Sequence, residues 1–235
     1  MKSLRTLLAA SAICSVPLSA QTGVMTFETG YRSDAHRNGI THSAPFGGIG
    51  AAVTMQGSAD KNTAALLIGS FEIRMGPNVI TDFNGFADFA FRAGNLTAGA
   101  GLAAQYDSNE EMTVPVPGGK NVSVWLNYPI SLGYSGFGKL NFGPSGKTFV
   151  QGRYSIMPAT MTRPYGSAST SVAHPDVPMM DSHMLRVACG QTFDKWIFRV
   201  QLIQETWRFE RKYDNANGAW DRDSRIGSVG LTRIF

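Results

Sequence analysis

Charge is scarce in this 235-residue chain: Asp, Glu, Lys and Arg together make up 16% of it, against about 25% in ordinary soluble domains. Cysteine is nearly absent. Of the two cysteines, Cys14 falls in an apolar N-terminal stretch and Cys189 then stands alone. That excludes an intramolecular disulfide and a thiolate-rich metal site, and Cys189 reads as a small hydrophobe on a strand. Long apolar runs are missing too. Nothing after Gln21 reaches the ~20 residues that a helix needs to span a bilayer. No run of Lys or Arg occurs, and no zinc-finger or RNA-binding signature. Without Lys2 and Arg5 the formal charge falls from +4 to about +2, which is no footprint for nucleic acid. No residue pattern calls for a cofactor or a metal. What is abundant is glycine and aromatics, with 26 Gly, 14 Phe, 7 Tyr and 4 Trp. That mixture favours strands and turns over helices.

The two ends carry signals of their own. Lys2 and Arg5 precede an apolar segment from Leu7 to Leu18, and Ser19-Ala20 offers small residues for cleavage before Gln21. The pattern is that of a secretory signal peptide, dividing the chain into a signal over 1–20 and one domain over 21–235. Ile13 before Cys14 is too large for a lipoprotein site. At the other end the chain finishes Gly227-Ser228-Val229-Gly230-Leu231-Thr232-Arg233-Ile234-Phe235, with Val229, Leu231 and Phe235 on one face of a strand and Arg233 interrupting it. This resembles the terminal assembly signal of bacterial outer-membrane β-barrel proteins, as a class rather than any one family. The resemblance implies export to the outer membrane of a Gram-negative bacterium, contact with outer-membrane lipids and recognition by the barrel assembly machinery.

The body of the chain fits that class. Segments of about ten residues alternate apolar and polar with period two, as transmembrane β-strands do. The longest alternation runs from Val122 to Tyr134 and places Trp125 on the face opposite Leu126, Ile130 and Tyr134. Others are centred on Phe27, Val53, Phe71, Phe89, Leu102, Tyr154, Val187 and Val200, and the terminal strand completes the set. Together they predict an all-β, antiparallel, up-and-down transmembrane β-barrel of about ten strands. Eight is the alternative, with the Gly-rich segments near Gly48 and Gly85 as loop. Long links are expected over 33–46, 107–120, 157–182 and 213–222, short ones over 57–62, 93–95 and 192–195, and an intermediate one over 136–146.

Charge then assigns the faces. Glu28, Arg32, Glu72, Arg74, Asp88, Arg92, Arg153, Arg186 and Arg199 oppose the apolar set. An Arg facing lipid at mid-bilayer costs about 2–4 kcal/mol, so these residues point into the lumen. A ten-strand lumen is narrow, so they pair across it and largely plug it, with Trp125 helping to fill it. Their balance is Arg-rich, and any thin water path favours a small anionic solute. Trp196, Tyr31, Tyr106 and Tyr134 are candidates for the interfacial aromatic girdles. Glu205 to Tyr213 continues past the expected membrane boundary.

Two motifs mimic nucleotide sites. Gly143-Pro144-Ser145-Gly146-Lys147-Thr148 ends like a P-loop, but Asn141 stands where the first Gly belongs and a strand follows instead of a helix. Gly99-Ala100-Gly101-Leu102-Ala103-Ala104 spells a dinucleotide fingerprint with no βαβ unit around it. Two further functions compete with a structural or surface-interacting barrel or narrow pore. A rim-active hydrolase of lipid or peptide would draw on His36, His42, His174 and His183 with Asp34, Ser43, Ser171, Asp176, Asp181 and Ser182, although their spacing alone demonstrates no catalytic contact. A soluble periplasmic β-barrel carrying a ligand would turn the apolar faces inward.

Overall fold

A computed structural model describes residues 20–37, 39, 41–60, 63–76, 81–107, 110–116, 120–127, 130–143, 145–158, 167–170, 177–209 and 221–235. The expected signal segment except Ala20 lies outside these residues, as do His174, Ser171 and Asp176.

Ten strands close a barrel: β1 (Ala20–His36), β2 (Thr41–Asp60), β3 (Thr63–Met75), β4 (Thr81–Ala93), β5 (Leu96–Asp107), β8 (Ser131–Phe142), β9 (Thr148–Pro158), β11 (Val177–Phe193), β12 (Trp196–Phe209) and β13 (Arg222–Ile234). Each pairs antiparallel with the next, and β13 returns to β1, with Val24 opposite Ile234 and His36 opposite Arg222. Closure leaves no strand edge within the ring, the condition for a sheet to cross lipid. Among the described residues, three more strands lie outside it. β6 (Glu110–Val116), β7 (Lys120–Asn127) and β10 (Ser167–Thr170) continue the sheet from one end of β11.

The turns at the end where β1 begins and β13 ends, the terminal end of the ring, are tight. Ala93 faces Leu96 and Phe193 faces Trp196, leaving two residues in each link. Gly94 and Asp194 take positive φ there, 56° and 51°, a region open to Gly and tolerated by Asp. The Gly143–Thr148 motif is likewise a turn into β9, and Gly99–Ala104 lies within β5.

The segments near Gly48 and Gly85 are strand, which excludes the eight-strand alternative. Other boundaries differ from expectation. The 33–46 link shrinks to the few residues between His36 and Thr41, and β8 runs through most of the expected 136–146 link. The long alternation from Val122 to Tyr134 is two elements. Its first part is β7, paired with β6 and β10, and its second is β8, paired with β5 and β9. Trp125 therefore sits on a strand outside the barrel ring, not on one of the ten strands that enclose the lumen.

Burial inverts the soluble pattern. Phe27, Leu67, Phe91, Leu102, Leu132, Tyr134, Val200 and Leu202 are exposed on the outer face, while Glu28, Arg32, Arg74, Asp88 and Arg153 are buried inside. A water-soluble carrier would carry the reverse arrangement. Tyr31, Tyr134 and Tyr154 edge the apolar belt toward the long links, and Phe142, Phe193 and Phe235 toward the termini. Val229, Leu231 and Phe235 belong to this outer face, and the Arg233 that interrupts them lays its guanidinium 5.0 Å from the centre of the Trp196 ring. Beyond the belt, on the side of the long links, the outer face turns polar, and Arg208 pairs with Asp223 at 2.7 Å.

Val200 stands mid-belt, opposite Val229 on one side and Cys189 on the other. Val200→Arg should destabilise the barrel by about 2–4 kcal/mol, read as a lower urea midpoint for loss of the unheated, fast-migrating form on gels.

Candidate functional site in the barrel lumen

The lumen is filled by two kinds of side chain. Phe46, Phe86, Ala103, Met157, Met184, Ile203 and Ile226 form an apolar cluster inside the ring. Glycine makes room for it. A Cβ on Gly30 would lie 2.7 Å from the Phe46 ring and 2.2 Å from the Gly227 carbonyl oxygen, so only glycine lets Phe46 swing across β1.

Around that cluster runs a network of ion pairs. Arg74 donates from Nε to Glu28 Oε1 at 2.7 Å, from Nη2 to Glu72 Oε2 at 2.8 Å and from Nη1 to Asp82 Oδ2 at 2.9 Å. Glu72 also accepts from Arg186 Nη1 at 2.5 Å and from Arg199 Nη2 at 3.1 Å. Toward the long links, Arg32 reaches Asp34, Asp107 and, at 3.9 Å, Asp82, and Arg222 shares the same Asp107 oxygen. Glu205, fully buried, sits in the field of this group. Apart from the chain, Asp88 accepts from Arg153 at 2.6 Å and from Ser135 at 3.1 Å. The Arg153 guanidinium carbon lies over two aromatic rings, 4.0 Å from the Phe86 centroid and 4.9 Å from that of Phe137. Flat guanidinium planes can satisfy carboxylates at their edges and pack on rings at their faces, which suits Arg over Lys here.

The residues read from the sequence thus fall into three groups. Glu28, Arg32, Glu72, Arg74, Arg186 and Arg199 meet in one network; Asp88 and Arg153 meet in a second. Arg92 joins neither. It is exposed at the mouth near the termini, where its Nη2 donates to Gln56 Oε1 at 3.2 Å. The Arg-rich balance does not hold for the whole lumen. Asp34, Asp82, Asp107 and Glu205 add buried carboxylates there, against one further buried guanidinium among the described residues, Arg222. The cationic excess survives only in the half nearer the termini. A cavity of about 330 Å³ opens there, lined by Lys139, Arg153, Arg186 and Arg199 with Glu72 as its one carboxylate.

Among the described residues the three histidines do not gather at one place. His36 is buried at the opposite mouth with its ring 6.2 Å from that of the exposed His42. His183 is on the outer face, bonded to Tyr154 Oη at 2.5 Å and 3.6 Å from Asp181. Neighbouring Ser182 points the other way, into the lumen, and donates to Gln105 at 2.9 Å. No His–Ser pair of the hydrolase reading is joined among the described residues, and no group of His, Cys, Asp and Glu among them has the arrangement of a metal site.

No family model and no curated protein matches the chain. Among solved structures it is similar to the outer membrane protease OmpT from Escherichia coli, with 9% identity, a TM-score of 0.44 and coverage of 94% of this chain and 98% of that one. It is also similar to the translocator domain of autotransporter NalP from Neisseria meningitidis, with 14% identity, a TM-score of 0.38 and coverage of 99% and 94%. A third is the NanC porin, with 10% identity, a TM-score of 0.34 and coverage of 91% and 99%. These are a protease, a translocator and a porin, and at such scores the likeness gives no weight to any of their roles.

Arg74 holds three carboxylates at once. Arg74→Ala should cost about 3–5 kcal/mol, because Glu28 and Asp82 lose their shortest guanidinium contact while buried. Arg92→Ala, at an exposed site, should stay within about 0.5 kcal/mol. Urea unfolding of the two variants side by side checks the contrast.

Proposed function

We propose that this chain is an integral outer-membrane barrel that is closed at rest, a structural and surface-presenting protein rather than an open porin. The observation that carries this reading is the Asp107–Arg32–Asp82–Arg74–Glu72–Arg186 chain of ion pairs, which ties β1, β3, β4, β5 and β11 together through the lumen. An ion entering would have to displace a buried guanidinium or carboxylate from its partner, a step of several kcal/mol. The apolar outer belt is the surface that outer-membrane lipids would cover. The Val229–Leu231–Phe235 face is what the assembly machinery would read, and the sheet extension β6–β7–β10 is what the barrel would present beyond the bilayer. Export through the N-terminal signal belongs to the same reading.

One feature supports a second reading, a narrow pathway for small anions. Half of the lumen is already open and cationic. Opening the other half would require the pairs of Arg32 and Arg74 to part.

Planar-bilayer recording separates the two. The wild-type protein should give no steady conductance at moderate voltage, and Arg74→Ala should give frequent, anion-favouring openings. Steady conductance from the wild type would sink the closed-barrel reading.

A further inference from the structure

The cavity on the terminal side has features that plugging the barrel does not require. Four cations line it, and Glu72 is the only carboxylate among its lining residues. Two of the cations, Arg186 and Arg199, share that carboxylate, Arg199 also lies 3.5 Å from Glu28, and Arg153 is matched by Asp88. Lys139 has no carboxylate partner among the described residues; its ammonium rests 4.5 Å from the centre of the Phe149 ring. Deeper in, Gln201 is 1% exposed, and neither its Oε1 nor its Nε2 has a hydrogen-bond partner among the described residues. The same holds for Nε of Arg186. A buried amide and a guanidinium N–H left without partners are unfavourable unless something else meets them.

We infer that this vestibule binds a compact oxyanion, a small free carboxylate or phosphate that enters from the side of the termini. The inference rests on the closed-barrel reading in one respect, that the site is a dead end with a single mouth. Excess positive charge selects an anion. The donors are of different kinds, an ammonium, guanidinium N–H groups and an amide, and they come from β8, β11 and β12, so they converge on several acceptor oxygens better than on a spherical ion. About 330 Å³ lies at the lower end of small-molecule pockets, so a compact oxyanion enters with room for water around it. β2 leaves this space open by presenting only small residues to it, Gly50, Ala51, Ala52 and Thr54.

Calorimetric titration of the detergent-purified full-length protein tests the site, with inorganic phosphate and succinate as separate probes, at low salt and in excess chloride. Saturable one-to-one binding of at least one probe is expected, persisting in chloride. Lys139→Gln should weaken it at least about tenfold, and so should Gln201→Leu, while Lys147→Gln, on an exposed turn, should leave it unchanged. Gel migration before and after heating confirms that each variant is a folded barrel, and the two lumen variants serve as alternatives if one does not assemble. Phosphate-only or succinate-only binding assigns the ligand class. Absence of saturable binding, full displacement by chloride, or equal weakening by Lys147→Gln would overturn the inference. Binding by a protein that conducts steadily would sink the closed-barrel reading and leave the site standing; a silent barrel that binds neither probe would do the opposite.

Discussion

Guanidinium–carboxylate pairing across a narrow lumen is the constraint on which the interior depends. Neighbouring strands are already joined by backbone hydrogen bonds, but the ion pairs join strands that never touch: Arg32 on β1 with Asp107 on β5, and Arg186 on β11 and Arg199 on β12 with Glu72 on β3. Ten strands keep the walls close enough for two side chains to meet in the middle. With apolar residues committed to the outer face, the inner face has few of them left for a hydrophobic core, and charge fills the remaining space. Such charges are stable only when matched, because an unpaired one in a low-dielectric interior carries its full desolvation penalty. Matching therefore fixes which residues can stand at each level.

The matching is uneven along the barrel. Toward the long links the carboxylates Asp34, Asp82, Asp107 and Glu205 crowd around Arg32, Arg74 and Arg222, and the apolar cluster packs beside them. Toward the termini the cations outnumber the acids and the packing opens into a cavity. The lumen is thus packed over one half and open over the other, with cations outnumbering acids along the open side.

Much of this was legible in the sequence, and the reason is the period of two. Where one face meets lipid, every second residue must be apolar, so the belt from Phe27 to Val229 and the charged faces opposite it could be read directly. The strand ends could not. Past the belt the outer face becomes polar, as at Ser33, Gln204 and Asp223, and alternation fades although the ladder continues to His36, Phe209 and Arg222. That is why Asp34, Asp107, Glu205 and Arg222 fell within expected links or beyond the expected boundary. Parity would have recovered them: Asp34 is two residues beyond Arg32, Asp82 six before Asp88, and Glu205 six beyond Arg199. The alternation from Val122 to Tyr134 misled for the complementary reason. Two strands of like pattern adjoin in sequence, and only pairing partners show that β7 leaves the ring.

The direct test of lumen-spanning pairing is a double-mutant cycle between Glu72 and Arg186, on β3 and β11, with Glu72→Ala, Arg186→Ala and the double variant compared by urea unfolding in lipid vesicles. If the two side chains stabilise the barrel through each other, the double variant should be less destabilised than the sum of the singles, with a coupling of about 1–3 kcal/mol. Effects that add to within about 0.5 kcal/mol would mean that the charges merely occupy the lumen, and the account of a barrel held closed by matched pairs would be wrong.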